Sequence, residues 1–130
     1  MKTASTIIIT DNNLDSAICD ELKHKYDHNI LVKKEVGIDS EMIVQLVITL
    51  SGIVTGEIIK IIASWISEKI KERKNRKFQK PYKQELKLIY PDGKTIILVR
   101  SQDLEEISLN NIEEFLREIE TLLEELQIGR

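Results

Sequence analysis

The chain has little of what most catalysis uses. Its 130 residues include one cysteine, Cys19, and two histidines, His24 and His28. A single cysteine excludes an internal disulfide and a multi-cysteine zinc site, and fits a reducing, cytoplasmic compartment. Aromatic residues make up only 5%, so the core cannot be built on large rings. Glycines number five and prolines two, and no glycine cluster resembles a phosphate-cradling loop. The opening MKTASTIIIT meets Asp11 too soon for a signal peptide. The net charge of −3 supplies no overall attraction to nucleic acid or to an anionic membrane.

What is present is aliphatic and charged. Hydrophobic residues account for 42% and charged ones for 32%, and 22 positions are isoleucine. This composition predicts one domain over residues 1–130 with an aliphatic core. Within it, residues 1–38 read as strand, helix and strand, 39–77 as a long central helix with a basic tail, and 78–130 as a hairpin and closing helix.

The local signals behind that division differ in kind. Thr6 to Thr10 is a β-branched run ended by Asp11-Asn12-Asn13, and Leu14, Ala17, Ile18, Leu22 and Tyr26 recur at helical spacing. Ile30 to Val36 reads as a second strand, and so short a unit favours a parallel crossover. From Met42 to Gly56 the chain carries no charge over 15 residues. The expectation is a helix buried around most of its circumference, with Gln45, Thr49, Gly52, Gly56, Lys60 and Ser64 on one small or polar stripe. A β-hairpin of Ile43–Leu50 and Ile53–Ile59 is an alternative. A membrane helix over 42–66 is another, although a span needs about 20 apolar residues and Glu57 and Lys60 interrupt this one. Later, Pro91-Asp92-Gly93 between Glu85–Tyr90 and Thr95–Arg100 specifies a hairpin turn: proline presets the first position and glycine supplies positive φ. Ile112, Phe115, Leu116, Ile119, Leu122, Leu123 and Leu126 form the apolar stripe of a last helix whose other face is acidic. Together these predict an α+β fold of order β-α-β-α-β-β-α, with a small mixed sheet on the central and C-terminal helices.

No constellation of catalytic groups emerges, so the chain reads as a non-enzyme with no cofactor and no metal. His24 and His28 have the spacing of a helical metal pair but no third ligand pattern, which favours solvated side chains. Cys19 lacks a positive neighbour to form a thiolate and suits a buried structural role. The candidate contact residues are Gly52, Gly56 and Trp65 for helix packing. A basic patch of Lys69, Lys71, Arg73, Lys74, Arg76 and Lys77 would meet an electrostatic partner. Lys69 to Lys83 carries about +7 and Asp103 to Arg130 about −7 by side-chain count, so the basic tail could meet the acidic face of the last helix, Glu113, Glu114, Glu118, Glu120, Glu124 and Glu125, in its own chain or in a neighbouring copy of a homo-oligomer. The same basic run with Phe78 and Tyr82 is the feature a nucleic-acid binder would use. Pro91, Asp92 and Gly93 are assigned a structural turn.

The order of features resembles one family. Leu46 to Leu50 with Ser51-Gly52, then Trp65 in the "SWI" step, a basic tail, and Asp92-Gly93-Lys94 within LKLIYPDGKTIILV resemble the effector-associated constant component family of prokaryotic conflict systems. The likeness runs over most of the chain and is firmest from Met42 to Val99; the longer lysine-rich connector and the isoleucine bias depart from it. The resemblance implies a non-enzymatic adaptor in an antiviral defence system, coupling a signal to a protease, nuclease or ATPase effector encoded nearby. It brings no catalytic residues. The alternatives are a membrane-associated accessory using 42–66 and a small nucleic-acid binder using 69–83.

Overall fold

The computed structural model describes residues 4–12, 14, 16–36, 42–51, 55–75 and 83–125. The first strand, β1 (Thr6–Asp11), leads to helix α1 (Ser16–Tyr26), a 3-10 turn and strand β2 (Ile30–Val36). Strand β3 (Met42–Thr49) and helix α2 (Thr55–Asn75) follow, then β4 (Gln84–Ile89) and β5 (Thr95–Val99). The chain continues through α3 (Ser101–Glu106) and a second 3-10 turn to α4 (Ile112–Glu125). The class is α+β, as expected. The five strands form one sheet in the order β2-β3-β1-β4-β5.

Two expectations are corrected. The long helix over 39–77 is instead a strand followed by a helix. Ile43, Val44, Val47, Ile48 and Thr49 are β-branched, which suits a strand with a hydrogen-bonded neighbour on either side, here β1 and β2. The first arm of the hairpin alternative therefore exists as β3, while its second arm lies across the start of α2. The sheet is also not mixed, because each of its four pairings is antiparallel. β1 and β2 do run in the same direction, but β3 inserts between them, so no direct parallel pair forms.

Period-two alternation sorts the sheet into two faces. Ile7, Ile9 and Asp11 of β1, Leu46 and Ile48 of β3, and Leu86 and Leu88 of β4 are buried on one face. Against it α2 sets Ile58, Ile62, Trp65, Ile66 and Ile70, all fully buried and spaced along one stripe of the helix. Each such side chain contributes about 1.5–3 kcal/mol by leaving water. Leu22 of α1, Leu104 of α3, and Ile112, Ile119 and Leu123 of α4 complete the core.

The β4–β5 turn forms as its residues predict. Gly93 N–H donates to Tyr90 O and Tyr90 N–H to Lys94 O, both at 2.9 Å. Asp92 Oδ1 accepts from Lys94 N–H at 3.0 Å, and Gly93 takes φ +90°. This is a three-residue loop whose last residue needs the left-handed region that glycine enters without strain.

Candidate functional site

The most organised polar cluster lies inside the molecule, between the end of β1 and the second half of α2. The Asp11 carboxylate is fully buried and takes donors from three of the described residues. Trp65 Nε1–H reaches its Oδ2 at 2.9 Å, Lys69 Nζ reaches the same oxygen at 3.1 Å, and Gln84 Nε2 donates to Oδ1 at 3.1 Å. The spacing of α2 explains why: Trp65, Lys69 and Arg73 recur every four residues on the face turned to the sheet. Asp11 and Gln84 are directly opposed across β1 and β4.

From Gln84 the network runs outward. Arg73 Nε donates to Gln84 Oε1 at 2.9 Å and its guanidinium meets Glu105 Oε2 at 2.7 Å. Lys74 Nζ donates to the Glu105 backbone carbonyl at 2.9 Å, and Lys69 also pairs with Glu72 at 3.2 Å. Ser101 Oγ both accepts from Gln84 N–H and donates to Gln84 O. The chain of contacts ties the middle strand, α2 and α3 into one unit. Buried charges are tolerated only when paired and hydrogen-bonded, and these are.

This placement corrects the reading of the basic segment. Lys69 is 1% exposed and Arg73 7%, so neither belongs to a solvated patch that an electrostatic partner or a phosphate backbone could reach. Their helical face points inward because Asp11 and Glu105 lie opposite, signals invisible from the segment itself. Lys71 and Lys74 are exposed, whereas Arg76 and Lys77 lie outside the described residues. Arg73 and Lys74 do meet Glu105, but Glu105 lies on α3 and not on the acidic face of the last helix that the basic tail was expected to meet.

Trp65 is fully buried and is a core and network residue, not an exposed packing surface. Gly56 is exposed, and a Cβ there would meet nothing within 4 Å; among the described residues no close helix approach occurs at it. Gly52 lies outside the described residues. Pro91, Asp92 and Gly93 form the turn assigned to them. His24 and His28 are both exposed. Among the described residues no group of three or more His, Cys, Asp or Glu side chains could hold a metal ion. Among the same residues no helix is long and apolar enough to cross a membrane; the 42–66 span divides between β3 and α2.

The sheet's second face was not anticipated. α2 rests on the Asp11 face; α1 joins it there through the Tyr26–Glu57 hydrogen bond, and α3 and α4 pack on α2. On the opposite face the register aligns Leu31, Val47, Ile8, Lys87 and Ile97 across all five strands. Leu31 is 53% exposed and Val47, Ile8, Lys87 and Ile97 are half-buried. The next row places Lys33, Gln45, Thr10 and Glu85 in line. The result is an apolar row crossed by one lysine and bordered by charge. Period-two apolar positions in Thr6–Asp11 and Thr95–Val99 carried this signal, but only the strand order shows that they line up.

No protein-family model, no curated protein and no solved structure matches this chain.

Proposed function

We propose that this protein is a non-enzymatic adaptor or regulatory component of a bacterial conflict system, coupling a signal to a partner effector through protein contacts. The family resemblance supplies the system. The observation that carries the contact reading is the apolar row Leu31–Val47–Ile8–Ile97 on the sheet face away from the helices. A row of aliphatic side chains bordered by lysine and glutamate has the make-up of a protein interface, with an apolar centre and a polar rim. The effector, a protease, nuclease or ATPase, would seat on this face.

Co-expression with the products of the neighbouring genes tests the reading. The chain is expected to co-purify with an effector, and Leu31→Asp, at an exposed position that leaves the core intact, is expected to abolish the complex. Failure to bind any neighbouring product, or a complex that Leu31→Asp leaves unchanged, overturns it.

A further inference from the structure

We propose that the outer edge of β5 accepts an extended, acidic-flanked segment of a partner protein as a sixth strand. The idea uses an edge of the sheet, whereas the contact reading above uses its face, so either can stand without the other.

The two edges of this sheet are built differently. β2, at one end, carries Lys33, Lys34 and Glu35 within its span, and charges of this kind are how natural edge strands discourage pairing. β5, at the other end, reads Thr95-Ile96-Ile97-Leu98-Val99 and carries no charge. Among the described residues its only strand partner is β4 and Thr95 to Val99 make no other backbone hydrogen bond, so among these residues its other side offers unpaired backbone N–H and C=O groups. Thr95 and Ile96 are exposed and Ile97 is half-buried. A register shift against β4 falls between Leu86 and Lys87 and leaves Leu98 as the extra residue. The bulge bends the far end of the strand, while Thr95 to Ile97 remains regular and free to template a neighbour.

The flanks select the occupant. Lys94 precedes the strand and Arg100 follows it, and both are exposed. A second copy of this chain is a poor fit: in the register that opposes all five residues of two antiparallel β5 strands, Lys94 would face Arg100 at both ends. Like charges directly opposed destabilise a ladder, and opposite ones support it. The matching segment therefore has a β-branched or aliphatic centre with aspartate or glutamate on either side. Main-chain hydrogen bonds would supply affinity and the flanks would supply selection, as in other strand-addition complexes.

The test uses a synthetic peptide with aspartate pairs around a Val-Thr-Val-Thr-Val centre, and a second with lysine pairs in their place. The acidic peptide is expected to bind the intact chain roughly tenfold tighter than the basic one, and to lose affinity as salt rises. Backbone amides of β5 should gain hydrogen-exchange protection while those of β2 do not. The double variant Lys94→Glu/Arg100→Glu should reverse the preference between peptides. Absence of binding, equal affinity for the two peptides, protection on β2, or a peptide-free dimer with protected β5 amides would each overturn the proposal. The salt response of the unmodified chain decides the matter if the double variant does not fold.

Discussion

Lys69 Nζ stands 3.1 Å from Asp11 Oδ2, with side-chain exposures of 1% and 0%. An ion pair this deep is a weak source of net stability, because desolvation offsets much of the attraction, yet breaking it strands a charge. Lys69→Met is therefore expected to cost about 3–5 kcal/mol in urea unfolding. In a double-mutant cycle with Asp11→Asn the two effects should depart from additivity by about 0.5–3 kcal/mol. Strictly additive losses would show that the two groups do not act as a pair.

Trp65 shares the same acceptor oxygen through its indole N–H. Trp65→Phe keeps a ring in the core but removes that donor, leaving Asp11 with one charge-assisted bond fewer. The expected loss is about 1–3 kcal/mol by circular-dichroism-monitored unfolding. As the chain's single tryptophan, fully buried, it should also report unfolding of the parent chain as a red shift in fluorescence. Emission already at solvent-exposed wavelengths in the native state would contradict its placement.

These residues also show where sequence reading stops. The β4–β5 turn was legible because Pro91, Asp92 and Gly93 hold their instructions within a few residues. The Met42–Thr49 strand was obscured because both of its faces are largely apolar: the register puts Val44, Leu46 and Ile48 on the helix-covered face and Ile43 and Val47 on the other. Period two and period 3.6 are hard to separate in such a run. Lys69 and Arg73 looked like solvent-facing charge because the pattern of a helix does not state what lies opposite. Asp11, which captures Trp65 from 54 residues away, was visible only as a turn residue. Local chemistry could be read, and long-range pairing could not.

Thr10 lies on the sheet face away from the helices yet is only 2% exposed, and its hydroxyl has no hydrogen-bond partner among the described residues. A buried hydroxyl that exchanges water for nothing costs about 1–3 kcal/mol, and valine has nearly the same shape. Thr10→Val should therefore raise the urea midpoint. A lower midpoint would mean that the hydroxyl does find a partner.

Glu57, in the first turn of α2, is held below the ordinary carboxylate value of 4.5 by the hydrogen bond from Tyr26 and then by that from Lys25, whose Nζ is 3.3 Å away. A group whose folded value is depressed adds stability above its unfolded value, and that stability fades as pH falls through the folded one. The link between α1 and α2 should thus weaken from about pH 4.5 downward. Glu57→Gln should flatten this part of the stability profile, and Tyr26→Phe should move the Glu57 titration back toward 4.5 by NMR. An unchanged acid limb in Glu57→Gln would rule out the linkage.

The two described glycines should respond to alanine in opposite directions, although neither site is crowded. A Cβ at Gly56 or at Gly93 would meet nothing within 4 Å, so backbone conformation alone decides the sign. Gly93 sits at φ +90°, and an L-residue in the left-handed region loses about 1–2 kcal/mol. Gly93→Ala should lower stability by that amount and loosen the β4–β5 turn. Gly56 lies in the first turn of α2, where replacing glycine limits the unfolded chain without straining the helix; the gain should fall short of the ~1 kcal/mol of a helix interior. Thermal unfolding of both variants checks the pair. A destabilised Gly56→Ala would indicate that something packs closely against α2 at that point, a helix-packing role for Gly56 filled from outside the described residues.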